Sequence, residues 1–444
     1  IEIPDQKEDI FKKDISPLFS ETINQPLYSL GFLYFLHRTK DNMSIVDKLP
    51  TKEPIYYVVN KFEHFIKGYD DNLNNQTLKY FKMKKSDPKI LSRAFYKMLE
   101  MLFLFDLADQ SNLTYAALAE GPGSFLQAVL MYRKLEYTSG SVSKDKYFGV
   151  TIHPEDGKFI NMAKQFLGYY EKNHPDLIKI HKTYKLEKAN KYKSRDNGDI
   201  TNVKTIGLFR KDIKKSKKYA DLVTADGGFD WVDENYQEQE GYALILGEMV
   251  AALNVQAKGG SFVLKIFDSY TLVTLKMIYI LKQVYNKVYI FKPYFSRESN
   301  AEKYVICKDF KFDQKSSQLK EIKKSLEGLL EQMNTDMYLN DFYPDFQLSR
   351  EYINLFKNIN LSIANNQQIV INKMITYIKG SNYFGELYHN YKDEQIKATK
   401  WWASQFYLNS KDEFKKNQSK MKKFIDSVNQ ENIEKTNKML KQFI

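Results

Sequence analysis

The sequence contains one cysteine, Cys307, and only six histidines, which are scattered along 444 residues. A single cysteine excludes a disulfide within the chain and indicates a reducing compartment, here the cytoplasm. It also excludes the paired-cysteine spacings of zinc sites, so we predict no metal site. No apolar run approaches the ~20 residues of a membrane-spanning helix, and no signal peptide is visible. We therefore expect no membrane partner.

The composition points to a folded protein with an anionic partner. Hydrophobic residues make up 43% of the chain, which excludes global disorder. The formal net charge is +12 and the pI about 9.1, which favours nucleic acid as the leading candidate partner. The alternative is that the many lysines reflect only the codon bias of the gene. Because the chain begins at Ile1 and not at methionine, we expect residues to precede it.

The excess positive charge is concentrated in one segment, His181 to Ala220. It holds 13 Lys or Arg against four acidic residues. As a cluster it is a candidate surface for contacting RNA phosphates, whereas for a single lysine a solvated helix face is the more common explanation. The candidate phosphate contacts within it are Lys214, Lys215, Lys217 and Lys218.

The pattern of apolar residues predicts three regions. Residues 1–85 have the features of helices and loops rich in aromatics, and residues 313–444 those of amphipathic helices with a Lys-rich end and no strand. Within residues 86–312, a start signal at Ser86-Asp87-Pro88 predicts a helix from Lys89. Six short apolar runs then alternate with helical patterns, which predicts an α/β fold with a mostly parallel sheet and helices on both faces. The runs are TYAAL, YFGVTI, ADLVTA, SFVLKIF, KVYIF and KYVIC.

The stretch LAEGPGSFLQ, Leu118 to Gln127, lies between the first predicted strand and a predicted helix. Gly121 and Gly123 allow a tight turn and a close approach by a ligand. The helix after the turn offers free N–H groups. The spacing G-x-G-x-x-G of dinucleotide sites is absent. Glu120 at a strand end suits a ligand with an ammonium group or ribose hydroxyls; an ordinary tight turn is the alternative.

Four further residues have unusual positions. Lys265 interrupts the apolar strand GGSFVLKIF, where an unpaired ammonium is costly, unless the strand ends at Leu264 and the lysine reaches solvent. Asp226 ends another strand, where it would face the same crevice as the Gly-Pro-Gly turn; the alternative is an ordinary turn residue before Gly227. Glu302 begins the last strand, and only an antiparallel strand would bring it to that rim. Lys97 lies one helical turn after Arg93 on the helix before the sheet.

Together these segments resemble the FtsJ/RrmJ-like family of 2'-O-ribose RNA methyltransferases. SRAFYK, LAEGPGSF, ADGG, GGSFVLKIF and KPYFSRESNAEKYVIC are similar to the family's blocks and occur in its order. The motifs are most similar to those of messenger-RNA cap methyltransferases from eukaryotes and large DNA viruses. The resemblance implies a Rossmann-like sheet of seven strands with an antiparallel last strand. It also implies a catalytic tetrad of Lys97, Asp226, Lys265 and Glu302.

The resemblance further implies S-adenosylmethionine as cofactor. Thr151 occupies the end of the second strand, where the family often has an acidic residue. We expect Arg93 and Arg297 to contact RNA. The residues expected at the cofactor are Glu120, Gly121, Pro122, Gly123, Ser124, Phe125, Thr151, Asp199, Ile200 and Asp226.

The implied reaction is methylation of a ribose 2'-OH, for which Lys265 is the candidate general base. Burial and a neighbouring ammonium lower a lysine pKa, and nearby carboxylates raise it. The expected substrate is a cap-proximal nucleotide of messenger RNA; ribosomal RNA, or a catalytically silent RNA-binding subunit, are the alternatives. A protein partner in the capping or transcription machinery is an open question. If the chain is viral, its location would be the host cytoplasm or the virion.

Overall fold

The computed structural model describes residues 1–49, 53–136, 144–153, 162–183, 196–228, 232–333, 337–381, 383 and 385–408, with seven residues between 416 and 438. The strands are β1 (Leu18–Ser20), β2 (Thr114–Leu118), β3 (Lys146–Val150), β4 (Ile178–Ile180), β5 (Ala220–Ala225), β6 (Gln256–Ile266), β7 (Tyr285–Phe291), β8 (Lys303–Phe310) and β9 (Tyr338–Asp341). The helices are α1 (Leu30–Asp41), α2 (Glu53–Val59), α3 (Leu73–Tyr80), α4 (Ala94–Phe105), α5 (Ser124–Glu136), α6 (Lys164–Asn173), α7 (Val203–Lys214), α8 (Gln237–Glu240), α9 (Tyr242–Val255), α10 (Leu272–Val284), α11 (Ser317–Gln332), α12 (Arg350–Gly380) and α13 (Glu386–Phe406).

Seven strands form one sheet in the order β4-β3-β2-β5-β6-β8-β7. All neighbours run parallel except β8, which is antiparallel to both β6 and β7. The predicted Rossmann-like α/β fold is confirmed, and all six predicted strands are present. The seventh strand, β4, was not predicted because its three residues are too few to establish an alternating pattern.

The sheet is covered by helices on both faces. Alternate residues of β2 point to opposite sides, as in any strand. Tyr115 and Ala117 belong to a buried cluster with α4 and α5, whereas Ala116 and Leu118 belong to a second cluster with α7, α9 and α10. This explains why β2 is apolar along its whole length: both of its faces are buried.

The N-terminal and C-terminal regions pack against each other. Strands β1 and β9 form an antiparallel pair, with Phe19 opposite Leu339. The expectations of helices and loops alone in residues 1–85, and of no strand after 313, were therefore wrong. Each strand has only three or four residues, and its partner lies at the other end of the chain, where no local pattern reveals it. The boundaries at 85/86 and 312/313 stay predictions.

Helix α4 begins later than predicted, at Ala94 instead of Lys89. The preceding residues bond to α5 instead of to their own helix, because Gln127 Nε2 donates to Lys89 O at 2.9 Å and Gln127 Oε1 accepts from Leu91 N at 3.0 Å. Arg93 still has helical backbone angles and caps α4, so it lies one turn before Lys97 as expected.

The C-terminal helix α13 completes the core behind α4. Trp402 is fully buried, packs edge-on against Tyr96, and donates from Nε1 to Glu100 Oε1 at 3.2 Å. Most of the Lys-rich segment that follows lies outside the described residues. None of the described helices combines the length and apolar character that crossing a membrane requires.

Candidate active site

The four residues of the predicted tetrad meet at one rim of the sheet as two ion pairs. Lys97 Nζ, from α4, donates to Glu302 Oε1 at 2.6 Å. Lys265 Nζ, near the end of β6, donates to the backbone oxygen of Asp226 at 3.0 Å and lies 3.3 Å from its Oδ1. Glu302 reaches this rim because β8 runs antiparallel, so its first residues lie beside the last residues of β6, at the edge where β5 also ends.

Lys265 lies within the strand, where its side chain is only 12% exposed, and it is paired with Asp226. Burial lowers the pKa of its amine, but the carboxylates of Asp226, Glu302 and Glu248 outweigh burial and hold the pKa above its usual value. The amine is therefore protonated in the free protein at neutral pH. A positively charged ligand beside these acids would lower the pKa again, because it weakens their hold on the proton.

Glu302 is held in place by three lysines. Burial raises the pKa of its carboxyl, but Lys97 and Lys265 outweigh burial and keep the pKa well below its usual range. Lys292 Nζ donates to the backbone oxygen of Glu302 at 2.8 Å and to that of Asn300 at 2.9 Å. Burial lowers the pKa of Lys292 to about 7. The loop that carries Glu302 is thus also fixed by the amine of Lys292, through its bonds to two backbone oxygens of the loop.

Two site residues were missed in the sequence. Tyr304 is paired with Lys265 across the strands, and its hydroxyl lies 2.9 Å from Asp226 Oδ1 and 3.5 Å from Glu302 Oε1. Glu248 accepts from the Gly227 backbone N–H at 3.0 Å, and burial raises its pKa to about 8. Both could have been found in the sequence. Tyr304 shares a strand face with Glu302, and Glu248 is the lone acid in the apolar helix α9.

The Gly-Pro-Gly turn lies next to this cluster. The N–H groups expected to be free are bonded, because Glu120 Oε1 accepts from Phe125 N at 2.9 Å and Leu126 N at 3.1 Å. Burial, with a contribution from Asp226, raises the pKa of Glu120 to about 8. Gly123 has φ +109°, which other residues rarely adopt.

The remaining positions of the turn are also fixed. Ser124 Oγ lies 2.7 Å from Ser92 Oγ, and the Pro122 carbonyl accepts from Ala163 N at 2.9 Å. Gly121 N donates to Ala119 O at 3.1 Å. The turn therefore keeps its shape through contacts with the segments before α4 and α6.

Thr151, Asp199 and Ile200 border the same crevice from the neighbouring strand. Thr151 directly follows β3, and a Cβ on Gly198 would lie only 2.2 Å from its carbonyl oxygen, so glycine is required there. Asp199 Oδ1 accepts from the Thr201 N–H at 2.9 Å. Ile200 is buried. The Glu120 N–H donates to Val150 O at 3.2 Å, which joins the turn to the end of β3.

The predicted RNA contacts divide into two groups. Arg93 caps α4 one turn before Lys97, and Arg297 lies on the loop between β7 and β8, five residues before Glu302. Lys214, Lys215, Lys217 and Lys218 are exposed but precede β5, whereas Asp226 follows it. The stretch from Lys218 to Asp226 spans about 26 Å at about 3.3 Å per residue. These lysines therefore lie at the opposite edge of the sheet, and residues 184–195 of the basic segment lie outside the described residues.

Fold and site together define a methyltransferase of the Rossmann-like class. The model of the FtsJ-like methyltransferase family matches residues 90–310, which contain all four members of the tetrad. The chain therefore carries a methyltransferase domain of the FtsJ-like family and belongs to that family. In the part of the chain that the structure describes, no three His, Cys, Asp or Glu residues are grouped to hold a metal ion.

Similar proteins include cap methyltransferases. Cap-specific mRNA (nucleoside-2'-O-)-methyltransferase 1 of Mus musculus is 32% identical over 245 residues, which are 50% of this chain and 26% of the relative. Cap-specific mRNA (nucleoside-2'-O-)-methyltransferase 2 of Drosophila melanogaster is 26% identical over 61% of this chain and 37% of the relative. The chain thus spans about a quarter to a third of these relatives.

A solved ribosomal RNA methyltransferase from Plasmodium falciparum is 19% identical and covers 49% of this chain and 97% of that one, with a TM-score of 0.34. A TM-score this low carries no information on function.

Proposed function

We propose that the chain is an S-adenosylmethionine-dependent methyltransferase that acts on the ribose 2'-OH of RNA, at a cap-proximal nucleotide of messenger RNA. The observation that carries this proposal is the meeting of Lys97, Asp226, Lys265 and Glu302 as two ion pairs beside a glycine-containing turn. The names of the relatives support the substrate class.

The residues of the crevice fit a cationic cofactor. Glu120 Oε2 makes no hydrogen bond within the described residues, and the proximity of Asp226 helps raise the Glu120 pKa. A positive charge between these carboxylates would relieve their repulsion, so they would hold the cofactor's ammonium group. Thr151, Asp199 and Ile200 would border its nucleoside. S-adenosylmethionine supplies a methyl group that is activated by a positively charged sulfur.

The lysines would handle the hydroxyl proton. Lys265, once neutral, takes the proton of the 2'-OH as general base, and Lys97 donates a hydrogen bond to the 2'-oxygen. Asp226 orients Lys265, and Glu302 orients Lys97, at the distances given above. Positioning of the hydroxyl between two fixed amines supplies much of the remaining rate enhancement.

A cavity close to the tetrad supports a capped substrate. It has a volume of about 210 Å³, and its wall includes Tyr34, His37, Tyr236 and Asp268. Asp268 comes three residues after Lys265, at the end of β6. Methylated guanine carries a positive charge that aromatic faces attract and N–H groups that a carboxylate accepts. The cavity therefore fits the chemistry of a methylated cap base next to the reacting ribose.

The deciding experiment uses labelled S-adenosylmethionine with short capped and uncapped RNAs, followed by nuclease mapping of the label. We expect the label on a 2'-oxygen next to the cap. A ribosomal RNA fragment is included in the same assay, and label on it alone would favour the alternative substrate. RNA binding without any methyl transfer would favour a silent RNA-binding subunit.

The cap cavity has its own test. Tyr34→Ala should raise the KM for capped RNA and leave uncapped RNA unaffected, because it removes an exposed aromatic face. Tyr34→Phe keeps that face and serves as the matched control. If Tyr34→Ala changes the KM for capped and uncapped RNA equally, the cavity does not bind the cap.

A further inference from the structure

The loop between β7 and β8 is fastened to the catalytic helix by its backbone. Glu100, one turn after Lys97 on α4, accepts from Tyr294 N at 2.8 Å and from Phe295 N at 3.1 Å. Arg93 Nη2, one turn before Lys97, donates to Phe295 O at 2.8 Å. Helix α4 and this loop therefore hold a fixed relation to each other, and each carries one arginine close in sequence to a tetrad residue, Arg93 four residues before Lys97 and Arg297 five residues before Glu302.

The two arginines lack carboxylate partners. In the described residues, neither Arg93 nor Arg297 forms an ion pair within 4 Å, and the Arg93 Nε has no hydrogen-bond partner although it is buried. Arg297 is exposed, and its guanidinium lies 5.5 Å from the centre of the Tyr56 ring. Glu63, the acid that most affects Arg93 electrostatically, instead contacts His64 Nδ1 at 3.0 Å.

The pairing of two cations is unfavourable without an anion. Burial, with a contribution from Arg297 that adds to it, lowers the pKa of Arg93 to about 10. A partly buried guanidinium whose Nε lacks an acceptor is costly unless a ligand supplies one. Guanidinium groups match the oxygens of a phosphate in geometry and charge, so a phosphate is the ligand class that fits this pair.

The position of the pair relates it to the reacting hydroxyl. Arg93 precedes Lys97 by four residues, about 6 Å along the helix axis. Arg297 lies on the same loop as Glu302, whose carboxylate contacts Lys97 at 2.6 Å. In RNA, the carbon that bears the 2'-OH is bonded to the carbon that bears the 3'-phosphate. The 3'-phosphate of the target nucleotide is therefore the backbone phosphate nearest to a hydroxyl held at Lys97.

We propose that Arg93 and Arg297 form a subsite for the phosphate on the 3' side of the methylated ribose. The proposal rests on the proposed function, because it takes the hydroxyl to be bound at Lys97. The subsite fixes the register of the RNA strand, so that only the nucleotide whose 3'-phosphate it holds presents its 2'-OH to the tetrad. This register adds to any selection made by the cap.

The test removes one phosphate charge at a time. Capped RNA with a neutral methylphosphonate at the linkage 3' of the target nucleotide should lose about tenfold or more in kcat/KM with the wild-type protein. The same change one linkage further downstream should have little effect. With Arg297→Ala, the two modified RNAs should react at nearly equal rates, because the charge that distinguishes them has no partner.

Two control variants separate loss of the phosphate contact from a general effect of removing an arginine. Arg350→Ala removes another exposed arginine, at the start of α12, and should preserve the wild-type discrimination. Because the buried Arg93 could be required for folding, Arg93→Lys is judged only if S-adenosylmethionine still stabilises it against heat. The dissociation constants of the same RNAs, measured by fluorescence anisotropy, should show the same discrimination.

Two results would overturn the subsite: equal losses at both linkages with the wild-type protein, or discrimination that Arg297→Ala leaves intact in rate and in binding. Failure of the proposed function is a separate observation, namely no methyl transfer to the unmodified capped RNA. In that case the anisotropy measurement still decides whether the arginines bind the phosphate.

Discussion

Tyr304 on β8 lies directly opposite Lys265 on β6, and its hydroxyl is 2.9 Å from the Asp226 carboxylate that holds the lysine. The same hydroxyl is 3.5 Å from Glu302, which pairs with Lys97. Tyr304 therefore links the two ion pairs into one network. Burial, together with the two neighbouring carboxylates, raises its pKa well above the usual value, so the hydroxyl keeps its proton as a donor.

Tyr304→Phe should lower kcat by about three- to tenfold, the range expected for one lost hydrogen bond. The measurement is single-turnover methyl transfer at saturating RNA and cofactor. Tyr285→Phe is the matched control, since it removes another buried hydroxyl, bonded to Gln256 Oε1 at 3.0 Å, from outside the site. A wild-type rate for Tyr304→Phe would show that the two ion pairs act without the link.

Lys265→Ala should abolish methyl transfer, with a loss of about 10²–10⁴ from general-base catalysis, while RNA and cofactor still bind. Lys265→Arg keeps the charge but cannot release a proton at working pH, so a base role predicts that it is nearly as inactive. Since carboxylates hold the Lys265 pKa above its usual value, the wild-type rate should rise with pH from 6 to 10. An active arginine variant with a flat wild-type profile would leave Lys265 an electrostatic role only.

Cofactor binding should depend on the ionisation of Glu120. Its pKa of about 8 means that the side chain is protonated at neutral pH in the free protein, whereas a cation favours the carboxylate. The ratio of dissociation constants, Glu120→Gln over wild type, should therefore increase as pH rises from 6 to 8. Calorimetry measures both proteins with the same ligand, so ionisation of the ligand cancels; a constant ratio would contradict the assignment.

Gly123→Asp should prevent heat stabilisation by S-adenosylmethionine, because φ +109° is strained for any side chain and the new Cβ would lie 3.4 Å from Leu91 and Phe166, which distorts the turn. Gly168→Asp is the control, as a Cβ at that glycine on α6 has open space around it. If Gly123→Asp and wild type show the same thermal shift, the turn does not hold the cofactor.

The remote lysines should matter only for long RNA. Neutralising Lys214, Lys215, Lys217 and Lys218 should leave the KM of a five-nucleotide capped RNA unchanged, because they precede β5 at the sheet edge opposite Asp226, about 26 Å away for Lys218 at about 3.3 Å per residue. For long RNA, affinity should fall and its dependence on salt should flatten. A variant that lacks the exposed Lys7, Lys12 and Lys13 is the control. If the salt dependence of RNA affinity does not change, the four lysines are a solvated helix face and not an RNA-binding surface.

The site could be predicted from sequence better than its surroundings. A charged side chain within an apolar strand or at its end lowers stability unless it has a partner or a function. Such a residue stands out in the sequence alone, as Lys265 and Asp226 do. The bonding of Glu120 to the helix N–H groups was missed, because sequence does not reveal which acceptor a free N–H will find. Strands β1 and β9 were missed because their pairing is non-local. The cytoplasmic location and a protein partner stay predictions.

The hydrogen bond from Trp402 to Glu100 has a consequence for how the protein can be divided. The match to the family model ends at residue 310, yet the indole that supports the catalytic helix comes from residue 402. A fragment cut at the limits of family similarity would leave a large apolar hole behind α4 and a buried carboxylate with one donor fewer. We therefore expect a fragment that folds cooperatively to extend beyond the family match, at least through Trp402.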